Sequence, residues 1–116
     1  MTIAFTNDSA SISTAEYSII GKTTSGVPVA NTGSCVCQWF LDLSNMAAGD
    51  QYRFRLYEKY HAAGTARLVE EWIFTNAQSK PGFFTPSFLI GAGFDFTGLR
   101  LAGSDKTILW STRKVT

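Results

Sequence analysis

Between residues 35 and 43 every odd position is apolar: Cys35, Cys37, Trp39, Leu41 and Leu43, separated by Val36, Gln38, Phe40 and Asp42. A period of two marks a strand with one buried face, so 35–43 is expected as a strand with its odd positions in the core. Residues 51–60 carry the same signal in the other phase, with Tyr52, Phe54 and Leu56 alternating with Gln51, Arg53, Arg55, Tyr57 and Lys59. A short HAAGT loop follows, and ARLVEEWIFT reads as the returning strand of a hairpin. Placing Tyr60 opposite Ala66 sets Phe54 against Trp72, Tyr52 against Phe74 and Arg55 against Glu71. If strand 35–43 flanks the other side with Leu41 against Phe54, Asp42 falls beside Arg53. The expected core is then Trp39, Leu41, Phe54, Leu56, Trp72 and Phe74.

The rest of the chain reads as lighter strands between turn residues. The end of the sequence predicts a hairpin turning at Gly103-Ser104-Asp105, with a bulge at Gly98, where the alternation changes phase. Pro81, Gly82 and Pro86 make the start of SKPGFFTPSFLI irregular. Strands are expected near residues 11–20 and 3–6. Residues 1–14 carry few apolar side chains and are expected as an extended polar arm that orders on a partner, the alternative being an edge strand of the same domain. No segment shows helical periodicity. The expectation is an all-β chain: a single antiparallel β-sandwich over residues 1–116, jelly-roll or immunoglobulin-like.

Charge narrows the function. Ten Lys and Arg stand against nine Asp and Glu, a formal charge of +1, so there is no basic excess for nucleic acid or an anionic membrane. The alternating aromatic and cationic side chains of DQYRFRLYEKY are read as one strand seen from both sides, its arginines neutralised by cross-strand acids. No apolar run approaches a membrane span. The start, MTIAFTNDSAS, lacks the features of a secretory signal, so synthesis in a host cytoplasm is expected.

Catalytic chemistry is hard to assemble. A serine or cysteine nucleophile needs a base, and His61 is the one histidine, placed in a turn. Glu58 and Glu70 share a strand face near that turn, whereas Glu70 and Glu71 point apart. Cys35 and Cys37 are expected as small buried apolar residues. Phosphate-loop and calcium-loop spacings are absent, and the expectation is a non-enzyme with no cofactor and no metal. What stands out is apolar surface: Phe40, Tyr57, Val69 and Ile73 fall on the outward faces, where either a second sheet covers part of them or they form an exposed patch, and Ile3 and Phe5 stand two apart in the arm. These six are the candidate protein-interaction residues.

The Ser/Thr-rich start SASISTAEYSI, then AGDQYRFRLYEKY, GTARLVEEW and the closing TILWSTRKV resemble the small virion proteins of tailed bacteriophages that decorate or cement the capsid. The resemblance implies a β-sandwich on the outer capsid surface, bound to the major capsid protein and to copies of itself around a local symmetry axis. A tail or head-completion role in the same particle is equally compatible with it. A carbohydrate-binding or fibre module is the alternative, and would require Trp39, Trp72 or Trp110 to be exposed for stacking on a sugar ring.

Overall fold

A computed structural model describes residues 2–24, 31–32, 35–59, 61, 63–91 and 93–115, and all regular structure among them is β. The strands are β1 (Ile3–Ile12), β2 (Tyr17–Ser18), β3 (Thr23–Thr24), β4 (Asn31–Thr32), β5 (Cys35–Asp42), β6 (Gln51–Lys59), β7 (Ala66–Thr75), β8 (Gly82–Phe84), β9 (Phe88–Ile90), β10 (Gly93–Ala102) and β11 (Lys106–Val115). They form two antiparallel sheets packed as a sandwich. In the first, the order is β1-β11-β5-β8, with β9 pairing β5 beyond β8. The second runs β3-β2-β10-β6-β7, with β4 also on β10.

The alternation in the sequence decides which side chains meet between the sheets. Trp39, Leu41, Phe54 and Leu56 are buried, and Trp72 and Phe74 pack half-buried against them, so all six expected residues join the core, which also takes in Ile12, Phe96, Ile108 and Trp110. Trp39 of the first sheet stacks on Phe96 of the second with ring centroids 4.7 Å apart and planes 9° apart. Phe54 also lies near-parallel to Phe96, with centroids 6.2 Å apart. Cys35 and Cys37 face the core as free, buried thiols.

Pairing departs from the sequence reading in several places. Phe54–Trp72, Tyr52–Phe74 and Arg55–Glu71 pair as expected, but a bulge after Leu56 shifts the register so that Ala66 meets Lys59. Tyr60 lies outside the described residues. Strand β5 does not flank β6: it lies in the opposite sheet, between β11 and the β8/β9 edge. Asp42 therefore faces Leu109 and not Arg53. Both strands alternate, and alternation is satisfied as well by facing across a core as by lying side by side.

The N-terminal segment is likewise a strand of its own domain. Ile3 to Ile12 pairs with Val115 to Lys106 along its full length, so the edge-strand alternative describes it and the detached arm does not. Its main-chain bonds to β11 replace the apolar burial it lacks, since only Ile12 is buried. Residues 11–20 are not one strand: β1 ends at Ile12 and β2 is confined to Tyr17–Ser18.

Gly98 is no bulge. It pairs regularly with Phe54, and the register shift in β10 falls between Arg100 and Ala102. Its role is close approach, because a Cβ there would lie 2.9 Å from Phe54 Cε1 with Ile12 Cδ1 behind at 3.7 Å. The ring belongs to a fully buried residue and has nowhere to go. Gly98→Ala is expected to cost about 1–3 kcal/mol in urea denaturation, and an unchanged midpoint would refute this account of the contact.

Candidate functional site: the outer face of the first sheet

Residues directly opposite in adjacent strands point to the same side of a sheet. In the first sheet, register places Ile3, Val115, Val36 and Leu89 in one line across four strands. The next line holds Phe5, Arg113 and Gln38, and the one after it Asn7, Ser111, Phe40 and Phe84. Trp39, Leu41, Ile108 and Trp110 alternate with these and are buried, so the lines lie on the outside.

This outer face is apolar and uncovered. Leu89 is 83% exposed, Phe84 61%, Phe5 58%, Ile3 49% and Leu109 46%. At its centre Arg113 is held between two rings, its guanidinium carbon 3.6 Å from the Phe40 centroid and 5.3 Å from that of Phe5. Contact with ring faces stabilises the cation. Arg113 Nε nevertheless has no hydrogen-bond acceptor among the described residues. Phe40 also stacks on Phe84 at 5.4 Å. Beside this cluster a shallow depression of 530 Å³ is lined by Asn7, Ser9, Phe40, Asp42, Leu109 and Ser111.

The outer face of the second sheet is chemically different. Arg55 donates from Nε to Glu71 Oε1 at 2.7 Å and from Nη1 to Tyr57 OH at 3.2 Å. Partial burial of the Arg55 guanidinium favours its neutral form, but the bonds to Tyr57 and Glu71 outweigh this and hold its pKa above the ordinary value. Arg53 lies 3.7 Å from Glu71 and 3.9 Å from Glu16, and Glu16 accepts from Thr97 Oγ1 at 2.7 Å. Arg53 therefore has acids beside it, supplied by β7 and the β1–β2 connection and not by Asp42. Both arginines of the DQYRFRLYEKY alternation have carboxylates 2.7–3.9 Å away, Arg55 in a hydrogen bond and Arg53 at longer range, its Nε without an acceptor among the described residues.

The six candidate residues divide accordingly. Ile3, Phe5 and Phe40 come together on the apolar face. Tyr57 and Ile73 lie on the outer face of the other sheet, and Val69 is the extra residue of the β7 bulge. The pattern reading missed Val36, Phe84, Leu89, Leu109, Arg113 and Val115. A usable signal was present for two of them: consecutive apolar residues in an extended segment, such as Phe83-Phe84 or Phe88-Leu89-Ile90, must send at least one outward.

Elsewhere, His61 is exposed and its Nδ1 accepts the Ala63 N–H at 3.1 Å. Glu58 faces Arg67 while Glu70 faces Leu56, on opposite sides of the bulge. Trp39 and Trp110 are buried, and Trp72 packs against Phe83, Phe88 and Phe96. No indole is laid open for a sugar.

No protein-family model matches the chain, and no curated protein does. Its fold is similar to that of a solved structure described as "Bacillus endospore appendages form a novel family of disulfide-linked pili". That likeness spans 99% of this chain and 87% of the other, with a TM-score of 0.56 and 13% identity.

Proposed function

We propose that this chain is a structural subunit that docks on another protein of a large assembly through the outer face of its first sheet, and that the assembly is a phage capsid. The observation that carries the docking is the contiguous exposed face around Arg113. An apolar patch larger than a few hundred Å² marks a contact on soluble proteins, and a stable interface covers about 800 Å² per partner. The chemistry of the face describes its partner. Aliphatic and aromatic side chains meet the Ile3–Leu89 line, and a carboxylate or main-chain carbonyl meets Arg113. The resemblance of the sequence to capsid decoration proteins supports the shell surface as the place and the major capsid protein as the partner. Arg53 and Arg55 of the second sheet have carboxylates beside them and are not held out for a phosphate backbone, in keeping with a protein partner.

Co-sedimentation with purified capsids lacking this chain tests the proposal. Phe84→Asp combined with Leu89→Asp should reduce capsid affinity at least about 100-fold, since a few large apolar anchors dominate such interfaces and these two are the most exposed of the face. The melting temperature should fall by only a few degrees, because Leu89 stands almost wholly in solvent and Phe84 gives up one ring contact, with Phe40. Ile73→Asp, on the other sheet, should bind as wild type. Full binding by the double variant would exclude the face as the docking surface.

A fibre subunit is the second reading, favoured by the fold likeness to a pilus protein along nearly the whole chain. Strands β1 and β7 end their sheets with ten-residue edges, which a neighbouring copy could extend by strand addition. Filaments formed by purified protein without any shell would support this reading against the capsid.

A further inference from the structure

The two cysteines have a geometry that neither docking nor core packing requires. Cys35 and Cys37 are two residues apart on the inward side of β5, and their sulfurs lie 2.7 Å from each other. Even carbon atoms, which are smaller, rest about 3.5–4.0 Å apart when not bonded. A disulfide bond measures about 2.05 Å, so the gap left to close is about 0.65 Å. Both thiols are buried, yet Cys37 lines a 210 Å³ cleft between the sheets, alongside Ala4, Thr6, Lys22, Thr112 and Lys114. A water molecule takes about 30 Å³ of liquid, so a peroxide of similar size fits that cleft.

We propose that Cys35 and Cys37 are an oxidation site, a dithiol that closes to a disulfide within a single strand when a small peroxide enters the cleft. One thiolate attacks a peroxide oxygen, breaking the O–O bond and giving a sulfenic acid and hydroxide, which takes up a proton to become water. The second sulfur then displaces the hydroxyl group of the sulfenic acid, which leaves as a second water. Two thiols and one hydrogen peroxide thus become one disulfide and two waters.

The reaction is slow at neutral pH. Burial, and then the Cys35 thiol beside it, push the Cys37 thiol up to about 12, and only the thiolate attacks. The bond is also easily reversed. Two residues of a strand span about 6.8 Å, at the upper limit of the Cα separation a disulfide bridges, and strained disulfides are readily reduced. Val36, between the two cysteines, belongs to the outward Ile3–Leu89 line, so the bond would form directly beneath the apolar face.

The full-length chain, treated with hydrogen peroxide and then denatured in an alkylating reagent, tests this by intact mass. The expected product is a monomer two hydrogens lighter than the reduced chain and carrying no alkyl group. Dithiothreitol should restore two alkylatable thiols. Cys35→Ser should lose the mass change, and the wild-type measurement stands even if that variant folds poorly. Two alkylated thiols after peroxide, sulfinic or sulfonic acid at both positions, or a disulfide-linked dimer would each overturn the proposal.

Discussion

Trp39→Ala is expected to remove about 3–5 kcal/mol of stability and to lower the melting temperature by roughly 12–20 °C. The indole is fully buried and bridges the two sheets, stacked on Phe96 and in contact with Phe88 and Phe94. Alanine leaves a cavity where rings from both sheets interleave, and a close-packed interior collapses only partly into it. The indole N–H has no acceptor among the described residues. Trp39→Phe therefore gives up no hydrogen bond and should keep most of the stability. Urea denaturation of the two variants beside wild type measures both claims. A loss below about 1 kcal/mol for alanine would mean that the sheets do not share one aromatic core.

Gly103→Ala is expected to cost about 2–5 kcal/mol, from a left-handed residue made to carry a side chain and from overpacking. Gly103 sits at φ +86°, and a Cβ there would fall 2.6 Å from Asp50 Cα and 2.9 Å from Gly49 O. Main chain cannot swing aside as a flexible side chain can. The clash also reaches the Asp50 carboxylate, which accepts the Ala47 N–H at 2.9 Å and the Ser104 N–H at 3.0 Å. Forcing the two turns apart would strand the Ser104 N–H, the bond that joins them. Ser104→Ala, one residue on, removes only an exposed bond from Lys106 and should stay within about 0.5 kcal/mol of wild type. Equal stability for Gly103→Ala and Ser104→Ala would contradict the clash. The same corner gives an acid dependence. The N–H bonds of Ala47 and Ser104 hold the Asp50 carboxyl below its ordinary pKa. Its contribution is therefore complete above about pH 4 and is lost as the pH falls through the lower folded value.

How far the sequence could be read follows from what alternation encodes. It marks which side chains are buried, so β5, β6, the far end of β7 and the turn at Gly103 were legible. It does not name neighbours, which is why β5 was expected beside β6 when it lies across the core from it. The β7 bulge escaped because that stretch is exposed on both sides and has no burial pattern to break. Strand β1 read as an arm for the same reason: an edge held by main-chain bonds leaves little trace in side chains. The apolar face was half visible. Phe40 stood out in a strong strand, whereas Phe84 and Leu89 belong to three-residue strands separated at Pro86, too short to show a period. Arg113 could not have been placed between two rings without the pairing of β1, β11 and β5.

The contrast between the two outer faces has a geometric consequence. One flat side carries Leu89, Phe84, Phe5, Ile3 and Leu109 in the open, while the other sets the charges of Arg53, Arg55 and Glu71 beside the exposed Leu68 and Ile73. An object adhesive on a single side can pave a surface but cannot stack on itself. Bound through the apolar side, each copy would turn the charges of Arg53, Arg55 and Glu71 to the solvent, so a second layer would meet a different chemistry from the first. Salt should act oppositely on the two sides, strengthening the grip of the oily side and loosening only the pairs on the back.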